Sequence, residues 1–474
     1  MKENLKNVWH PRLTKTYVAS LVLILLVLTA WGVYPLYGHA VIRNIYESHS
    51  LPVLNSLIRG QSSHALEHYL RTADGVLYEG TLYSLLFCVF LLAPVNLRIS
   101  FLCVILPLAL IEGGMRVQDF ILSRKFPELR DSELVSVYDP LLGWKKGANL
   151  EKYYTSREIG FRVKVATNSK GLRDEEYDYA KPADVKRILL LGDSFVIGTE
   201  VDRDRVIDVV LERLLASQGK YQVINAGTRG YGTDQEYLFL INEGYKYSPD
   251  VVIYTYYRND LADNVTIHNI KGKFGKPYFT LGPDGTLNLK GVPVPKTFFP
   301  DDQWRMADPD IETYYNHHLA QPKWIDTHLP LTSEILKISM LYQWFETRFK
   351  RAQYFRTTAD LPPELEEREW QITTALIHAM KNFSTSIGAE FLIYKARSPR
   401  DTLKAPTKLE DIAQSLDADY LLSFAHSEEY RINPWDFHVK KDNHWNERGH
   451  ALAAQDLYEF ITQRKQKDKK KNKK

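Results

Sequence analysis

The sequence predicts an α/β fold with a parallel sheet, preceded by N-terminal transmembrane helices. Two patterns carry this prediction. From about residue 185 onward, short apolar runs alternate with stretches of helical periodicity, as in a sheet that carries helices on both faces. Before that point the chain has three runs without charge that could enter a membrane. The hydrophobic share of 44% and the charged share of 25% are ordinary for a globular protein and allow a sizeable core.

Residues 1–124 form the predicted membrane region, with spans at about 16–37, 80–97 and 99–115. The first run has 22 residues without charge, follows several lysines and arginines, and is longer than the apolar core of most signal peptides. Pro94 suits a turn between the second and third runs. Three spans with a cytoplasmic N-terminus place the rest of the chain outside the cytoplasm, whereas two spans would leave it inside. We expect three spans in a bacterial inner membrane, with the large domain on the extracytoplasmic side.

The rest of the chain divides into predicted regions of different character. Residues 125–184 are rich in Tyr, Gly and Asn and form a β-rich lead-in that we expect to pack on the main sheet. Residues 185–463 form the α/β domain, in which about 263–361 is an insertion rich in Pro and aromatic residues. The insertion suits either a lid over a substrate or a purely structural excursion. The predicted strands are 186–191, 221–224, 251–256, 389–394 and 420–424, and the predicted helices are 204–216, 235–245, 370–387 and 446–462.

Charge and cysteine content exclude several classes of function. The chain has 61 Lys+Arg and 58 Asp+Glu, and the run 464–474 alone holds eight of these cations and one acid. The remainder is therefore slightly acidic, so we expect no nucleic-acid binding and interpret 464–474 as a basic, disordered tail. Cys88 and Cys103 are too few for a disulfide framework or a thiolate zinc site. The sequence predicts no metal or other cofactor.

Three loops directly after predicted strands hold residues that suggest chemistry. The turn Gly192-Asp193-Ser194 places a serine beside free backbone N–H groups, where it could act as a nucleophile or simply help to cap a helix. The loop from Asn225 to Gly230 could supply an oxyanion donor through a glycine N–H, or could be a Gly-rich turn. Asn259 follows the third strand, where its amide could donate to an oxyanion or close an Asx turn. Ligands of parallel sheets bind at this edge.

A fourth element lies far downstream, where Asp442-Asn443-His444 precedes the last predicted helix. A neutral histidine can accept the proton of a serine, and a carboxylate can orient that histidine, although two polar residues in a surface loop are the simpler explanation. Asp436-Phe437-His438 has the same spacing. We prefer Asp442 and His444 because the following helix would fix their loop, and we expect His438 to be a surface residue of a packed aromatic turn.

In this order, the four elements resemble the blocks of the SGNH/GDSL hydrolase family. The resemblance covers roughly 185–460 and implies a flavodoxin-like α/β/α sandwich. It also implies a triad of Ser194, His444 and Asp442, with oxyanion donors in the backbone N–H groups of Ser194 and Gly230 and the side chain of Asn259. The chain departs from the commonest family pattern in two ways. Its acid and base are spaced Asp-x-His, which is similar to a subset related to polysaccharide O-acetylation, and Arg258 stands where glycine is usual.

The residues and the resemblance together predict a membrane-anchored serine esterase or deacetylase, or an O-acyltransferase if a sugar hydroxyl replaces water as the acceptor. The membrane region favours an acylated small molecule, glycan or lipid of the cell envelope as substrate. The alternatives are a non-catalytic glycan-binding module of this fold and a membrane assembly scaffold. Nucleotide binding is excluded, because Phe195 follows Ser194 where phosphate-binding loops need Gly-x-Gly-x-x-Gly or Gly-Lys-Ser/Thr.

Overall fold

The computed structural model divides the chain into two compact units, which are Met1–Phe120 with Gln321–Gln353 and Ile121–Ala320 with Tyr354–Lys474. The residues that the structure describes are 94–125, 136–156, 161–268, 275–296, 305–319, 361–399, 407–440 and 442–471, with residues 90, 336, 339, 341–342 and 401 between them. The predicted span at 16–37 and most of the span at 80–97 lie outside the described residues.

Helix α1 (Val95–Lys125) contains the third predicted span and is the main described element of the first unit. It begins directly after Pro94, and the residues just before this proline, 91–93, lie outside the described part of the chain. Among the described residues it alone is long and apolar enough to cross a membrane, over the 21 residues Arg98–Gln118. Its apolar side chains are exposed, with Leu106 at 61% and Leu110 at 68%, which is unusual for a helix in water.

The second unit is built around a five-stranded sheet in which every strand pairing is parallel. Its strands are β5 (Val185–Leu191), β6 (Lys220–Asn225), β7 (Val251–Tyr256), β10 (Glu390–Lys395) and β11 (Asp419–Leu422). They lie side by side in the order β11-β10-β7-β5-β6. Numbered within the sheet alone, this is the flavodoxin-like order 2-1-3-4-5. The predicted parallel α/β architecture is therefore confirmed.

Helices cover both faces of this sheet, because its central strands carry apolar side chains on both sides. In β5, Ile188 and Leu190 join one buried cluster and Leu189 and Leu191 join the other. The first cluster contains residues of α3 (Ile207–Leu215) and α10 (Glu447–Lys471). The second contains residues of α4 (Thr233–Asn242), α7 (Pro363–Ser386) and α8 (Thr407–Ser415). Each fully buried Leu or Ile contributes about 1.5–3 kcal/mol to this three-layer core.

Several predicted helix boundaries are corrected by the structure. Helix α7 starts at Pro363, seven residues before the predicted start, because a proline near the first helical position suits a helix beginning. Helices α8 and α9 (Glu428–Ile432) were not predicted, since both are short and rich in polar residues. The prediction that 464–474 is disordered is wrong for most of the run, because α10 continues to Lys471. Lysine, arginine and glutamine are good helix formers, and the preceding turns have already overcome nucleation.

The lead-in consists of two antiparallel hairpins, β1 (Ser136–Asp139) with β2 (Gly143–Lys146) and β3 (Glu151–Ser156) with β4 (Phe161–Ala166). The first hairpin contributes Trp144 to a cluster with residues of α4 and α7 rather than with the sheet. The segment after β4 does reach the sheet, through Leu172 and Tyr177. Helix α5 (Asp260–Val265) crosses the predicted start of the insertion. The described elements within the insertion are the hairpin β8 (Tyr278–Leu281) with β9 (Leu287–Lys290), and α6 (Pro309–Leu319).

Candidate active site

The candidate site lies at the carboxyl edge of the sheet, where the strand order reverses. Strand β5 lies between β6 and β7. The chain passes from β5 to β6 through α3 on one face of the sheet, and from β6 to β7 through α4 on the other face. A crevice forms at such a switch point, because the loops on either side diverge. The three predicted loops follow these three strands, so Ser194, Gly230 and Asn259 all stand at this crevice.

The turn after β5 exposes the hydroxyl of Ser194. Asp193 is the cap of the short helix α2 (Ser194–Ile197), and its carboxylate accepts the N–H of Phe195 at 2.9 Å. Asp193, and not Ser194, therefore caps the helix. Because Ser194 is the first helical residue, its backbone N–H has no acceptor within the helix. Gly192 allows the turn, because a Cβ there would lie 2.3 Å from a methyl carbon of Val196.

Ser194, His444 and Asp442 form a continuous line of hydrogen bonds. The Oγ of Ser194 lies 2.7 Å from Nε2 of His444, and Nδ1 of His444 lies 2.7 Å from Oδ1 of Asp442. The same carboxylate oxygen accepts the backbone N–H groups of Asn443 at 2.5 Å and His444 at 3.2 Å. These contacts fix the carboxylate, so the His444 proton is held on Nδ1 and Nε2 is free to accept the serine proton.

The electrostatics of the triad favour a charged histidine flanked by a charged acid. Burial by itself lowers the pKa of His444, but the nearby carboxylates of Glu200 and Asp442 outweigh it, and the net pKa is raised. Burial raises the pKa of Asp442, but its hydrogen bond and attraction to His444 outweigh that effect, and the net pKa is lowered. The lowered pKa favours the ionised form of Asp442, and this charge would stabilise an imidazolium at His444.

The competing histidine, His438, does not reach the serine. It is 2% exposed, and its ring nitrogens lie 2.8 Å from the carbonyl oxygen of Pro434 and 3.2 Å from that of Arg397. Burial lowers its pKa, which favours the neutral ring. The expectation of a surface histidine is wrong, because Phe424 and Tyr430 pack against its ring. The geometry nevertheless agrees with the preference for His444.

The glycine loop after β6 is held tightly against α2. The Asn225 side chain donates to the carbonyl oxygen of Val196 at 2.8 Å and accepts the N–H of Gly227 at 3.0 Å. A Cβ at Gly227 would lie 2.4 Å from the backbone nitrogen of Ile197, so only glycine fits there. Gly230 has a φ of 72° in the turn that follows, and within the described residues no acceptor contacts its N–H. This N–H is available to a ligand.

Asn259 stands beside the serine turn, but both of its amide N–H groups are engaged. Its Nδ2 donates to Oδ2 of Asp263 at 2.7 Å and to Oδ2 of Asp193 at 3.3 Å. Burial raises the pKa of both carboxyls, that of Asp263 to about 7. For Asn259 to donate to an oxyanion, the longer contact to Asp193 would have to open.

The site is supported by two buried side chains, Glu200 and Lys146, and by the half-buried Arg229 of the glycine loop. The sequence analysis assigned no role to any of the three. Glu200 places Oε1 3.8 Å from Nδ1 of His444 and 2.6 Å from Nη1 of Arg229, the residue before Gly230. It thus links the histidine to the glycine loop. Lys146 of the first hairpin donates to the carbonyl oxygen of Gly227 and to Thr228 Oγ1, the latter at 3.2 Å. No local motif marks these residues, since each acts through contacts distant in sequence.

The described residues contain no cluster of three or more His, Cys, Asp or Glu side chains arranged to hold a metal ion. The structure therefore combines a flavodoxin-like sheet with a hydrogen-bonded Ser-His-Asp triad.

No protein-family model matches the chain. No curated protein matches it either. Esterases and lipases are among the solved structures similar to it. They include a two-domain esterase active on acetylated mannans (11% identity, 59% of this chain, TM-score 0.32). An acetylxylan esterase from Geobacillus stearothermophilus (10% identity, TM-score 0.31) aligns over 57% of this chain and 92% of its own. A lipase/acylhydrolase from Enterococcus faecalis (10% identity, TM-score 0.29) aligns over 59% and 96%. The chain spans 49% of the two-domain esterase.

Proposed function

We propose that the chain is a serine-dependent enzyme that hydrolyses or transfers an ester-linked acyl group. The observation that carries the proposal is the pair of 2.7 Å hydrogen bonds that join Ser194 to His444 and His444 to Asp442. These hydrogen bonds would align a nucleophile, a base and an orienting acid at the crevice where α/β sheets bind ligands. No metal or other cofactor takes part in the proposed reaction.

The proposed reaction proceeds in two acyl-transfer steps. Ser194 Oγ attacks the acyl carbonyl carbon while His444 Nε2 takes the hydroxyl proton, which gives a tetrahedral oxyanion. The N–H groups of Ser194 and Gly230 stabilise this oxyanion, and Asn259 joins them once its contact with Asp193 opens. The ester bond breaks as His444 returns the proton to the leaving alcohol. Water or a second alcohol then attacks the acyl-serine with the same proton transfers, and Ser194 is regenerated.

The proposed substrate is an acyl ester carried by a glycan or lipid of the cell envelope. The exposed apolar surface of α1 supports a membrane anchor, and an anchored enzyme would act on material close to the membrane. Water as acceptor would make the enzyme an esterase or deacetylase, and a sugar hydroxyl would make it an O-acyltransferase. We further propose that the catalytic unit lies on the extracytoplasmic side.

Substitution of the serine tests this proposal. The full chain, purified in detergent, is expected to hydrolyse an aryl acetate, and Ser194→Ala is expected to lower kcat by at least about 1000-fold, because the triad nucleophile is lost. A fluorophosphonate probe should label the wild-type chain and not the variant. Ser217→Ala is a matched control, since Ser217 is an exposed serine after α3. Near-full activity of folded Ser194→Ala would refute the proposal, and glycan binding by a chain that the probe does not label would favour a non-catalytic module.

A further inference from the structure

Two cations lie at the carboxyl end of strand β10, at the same edge of the sheet as the triad. Lys395 is the last residue of β10 and pairs in register with Tyr256 of β7, and the N–H of Ala396 donates to Tyr256 at 2.8 Å. The carbonyl oxygen of Arg397 accepts the indole N–H of Trp445, the neighbour of His444, at 3.1 Å. The backbone of this segment is therefore fixed to the histidine loop.

Both cations are buried, and neither forms an ion pair within the described part of the chain. Lys395 and Arg397 are each 5% exposed, and among the described residues no carboxylate lies within ion-pair distance of either. Burying an unpaired charge costs several kcal/mol. Other buried cations of this unit are compensated. Lys276 pairs with Asp234 at 2.5 Å, and Arg173 donates to the carbonyl oxygen of Val201 at 2.8 Å.

Two arginines and one acid act electrostatically on Lys395. Burial is the largest cause that lowers the pKa of Lys395, to about 8, and Arg397 and Arg258 lower it further while Asp401 opposes them. Arg258 lies in the loop after the adjacent strand β7, directly before Asn259. The guanidinium of Arg397 lies 5.1 Å from the ring centroid of Tyr430, which orients the group without neutralising it.

We propose that Lys395 and Arg397 form a subsite that binds an anionic oxyacid group, a carboxylate or a phosphate, on the ester substrate. The proposal rests on the proposed function, because the subsite would position the ester for Ser194. An arginine presents a planar fork that fits either oxyacid, and a lysine adds a point charge. A ligand anion would supply the ion-pair partner that no described residue provides for either cation. The substrate class is then an acylated acidic glycan or glycerophosphate-type polymer rather than a neutral one.

The test compares three acetyl esters, namely neutral phenyl acetate, 4-acetoxybenzoate and 4-acetoxyphenyl phosphate. The readout is the ratio of kcat/KM for each anionic ester to that for phenyl acetate. Replacing both cations in Lys395→Met/Arg397→Met should lower this ratio about 10- to 100-fold, mainly through KM, as expected for a lost charge-assisted contact. If the ratio falls more for 4-acetoxybenzoate, the subsite prefers a carboxylate. If it falls more for 4-acetoxyphenyl phosphate, the subsite prefers a phosphate.

Matched controls separate charge from structure. Lys220→Met/Arg213→Met removes two exposed cations elsewhere on this unit and should leave the ratio unchanged. The charge-conserving Lys395→Arg/Arg397→Lys should retain the preference for anions. An unchanged ratio in the folded Lys395→Met/Arg397→Met chain would overturn the subsite while leaving ester hydrolysis intact.

A binding measurement keeps the subsite testable if no ester is hydrolysed. Calorimetric titration of the Ser194→Ala chain with benzoate and with phenyl phosphate should show binding of at least one anion. The same titration of Ser194→Ala carrying Lys395→Met/Arg397→Met should show none. Failure of hydrolysis with intact anion binding would count against the proposed function alone, and equal binding by both chains would overturn the subsite.

Discussion

At the residue scale, the triad makes a prediction about non-additivity. His444→Ala should lower kcat about as much as Ser194→Ala, and the double variant should be little worse than either, because triad members act as a unit. His438→Ala should keep most of the activity, since its ring contacts the carbonyl oxygens of Pro434 and Arg397 rather than Ser194. Steady-state kinetics on the folded variants decides the matter. The opposite ranking of the two histidine variants would move the base to His438.

Glu200 makes a separate prediction about pH. Its carboxylate is a main cause of the raised pKa of His444, so Glu200→Gln should lower that pKa. Because the base acts in its neutral form, the acid limb of kcat/KM should move to lower pH, and relative activity in acid should rise. The pH profile of phenyl acetate hydrolysis measures this. An acid limb that stays in place or moves to higher pH would show that Glu200 does not tune His444.

Asp442→Asn is the informative comparison for Glu200→Gln. Asp442 contacts Nδ1 at 2.7 Å and fixes the tautomer of His444, whereas Glu200 lies at 3.8 Å. Asp442→Asn should therefore lower kcat strongly in addition to changing the pH profile, by about 10000-fold where an amide imposes the wrong tautomer. Glu200→Gln should change kcat much less. The two variants thus separate the orienting acid from a carboxylate that acts on the histidine through its charge.

The residues of the site differ in how far sequence could reveal them. Ser194 and His444 stand in short motifs next to predicted elements, and the structure brings the two together. Glu200 and Arg229 could not be found in this way, because their contact depends on how the loops after β5 and β6 fold against each other. The engagement of Asn259 by two carboxylates is also invisible in sequence, since Asp263 becomes its neighbour only when α5 forms.

At the element scale, the first hairpin is predicted to stabilise the glycine loop through Lys146. Burial lowers the pKa of this lysine to about 7, so its charged form is disfavoured in the folded chain. Between about pH 7 and the unfolded value near 10.5 the unfolded chain binds the extra proton, and stability should rise with pH. Lys146→Met should lack this increase. Urea unfolding of both chains at several pH values measures the difference, and parallel curves would contradict it.

The elements that sequence predicted best are those with continuous apolar runs. The predicted strand 251–256 matches β7 in full, because a strand buried on both faces must be apolar throughout. Helix α9 has five residues and one buried side chain, so its pattern could not be separated from a loop. The partner of the first hairpin was also unpredictable. Trp144 packs with residues of α4 and α7, and that contact depends on tertiary structure.

At the scale of the whole molecule, the parallel sheet was predictable from the alternation of strands and helices, whereas the order of its strands was not read from local pattern. That order came only with the family resemblance. It matters because the reversal at β5 creates the crevice into which the loops of β5, β6 and β7 open. Chemistry-bearing residues from distant parts of the chain meet there for a topological reason.

The membrane topology is the remaining prediction at this scale. Helix α1 has 31 residues and is about 46 Å long at 1.5 Å per residue, more than the hydrocarbon core of a bilayer requires. With three spans and a cytoplasmic N-terminus, a phosphatase reporter fused after Lys474 should be active outside the cytoplasm. The same fusion on a chain that lacks 95–118 has one span fewer and should become inactive. Activity of a cytoplasm-dependent reporter at Lys474 in the full chain would refute the three-span arrangement and place the triad inside the cell.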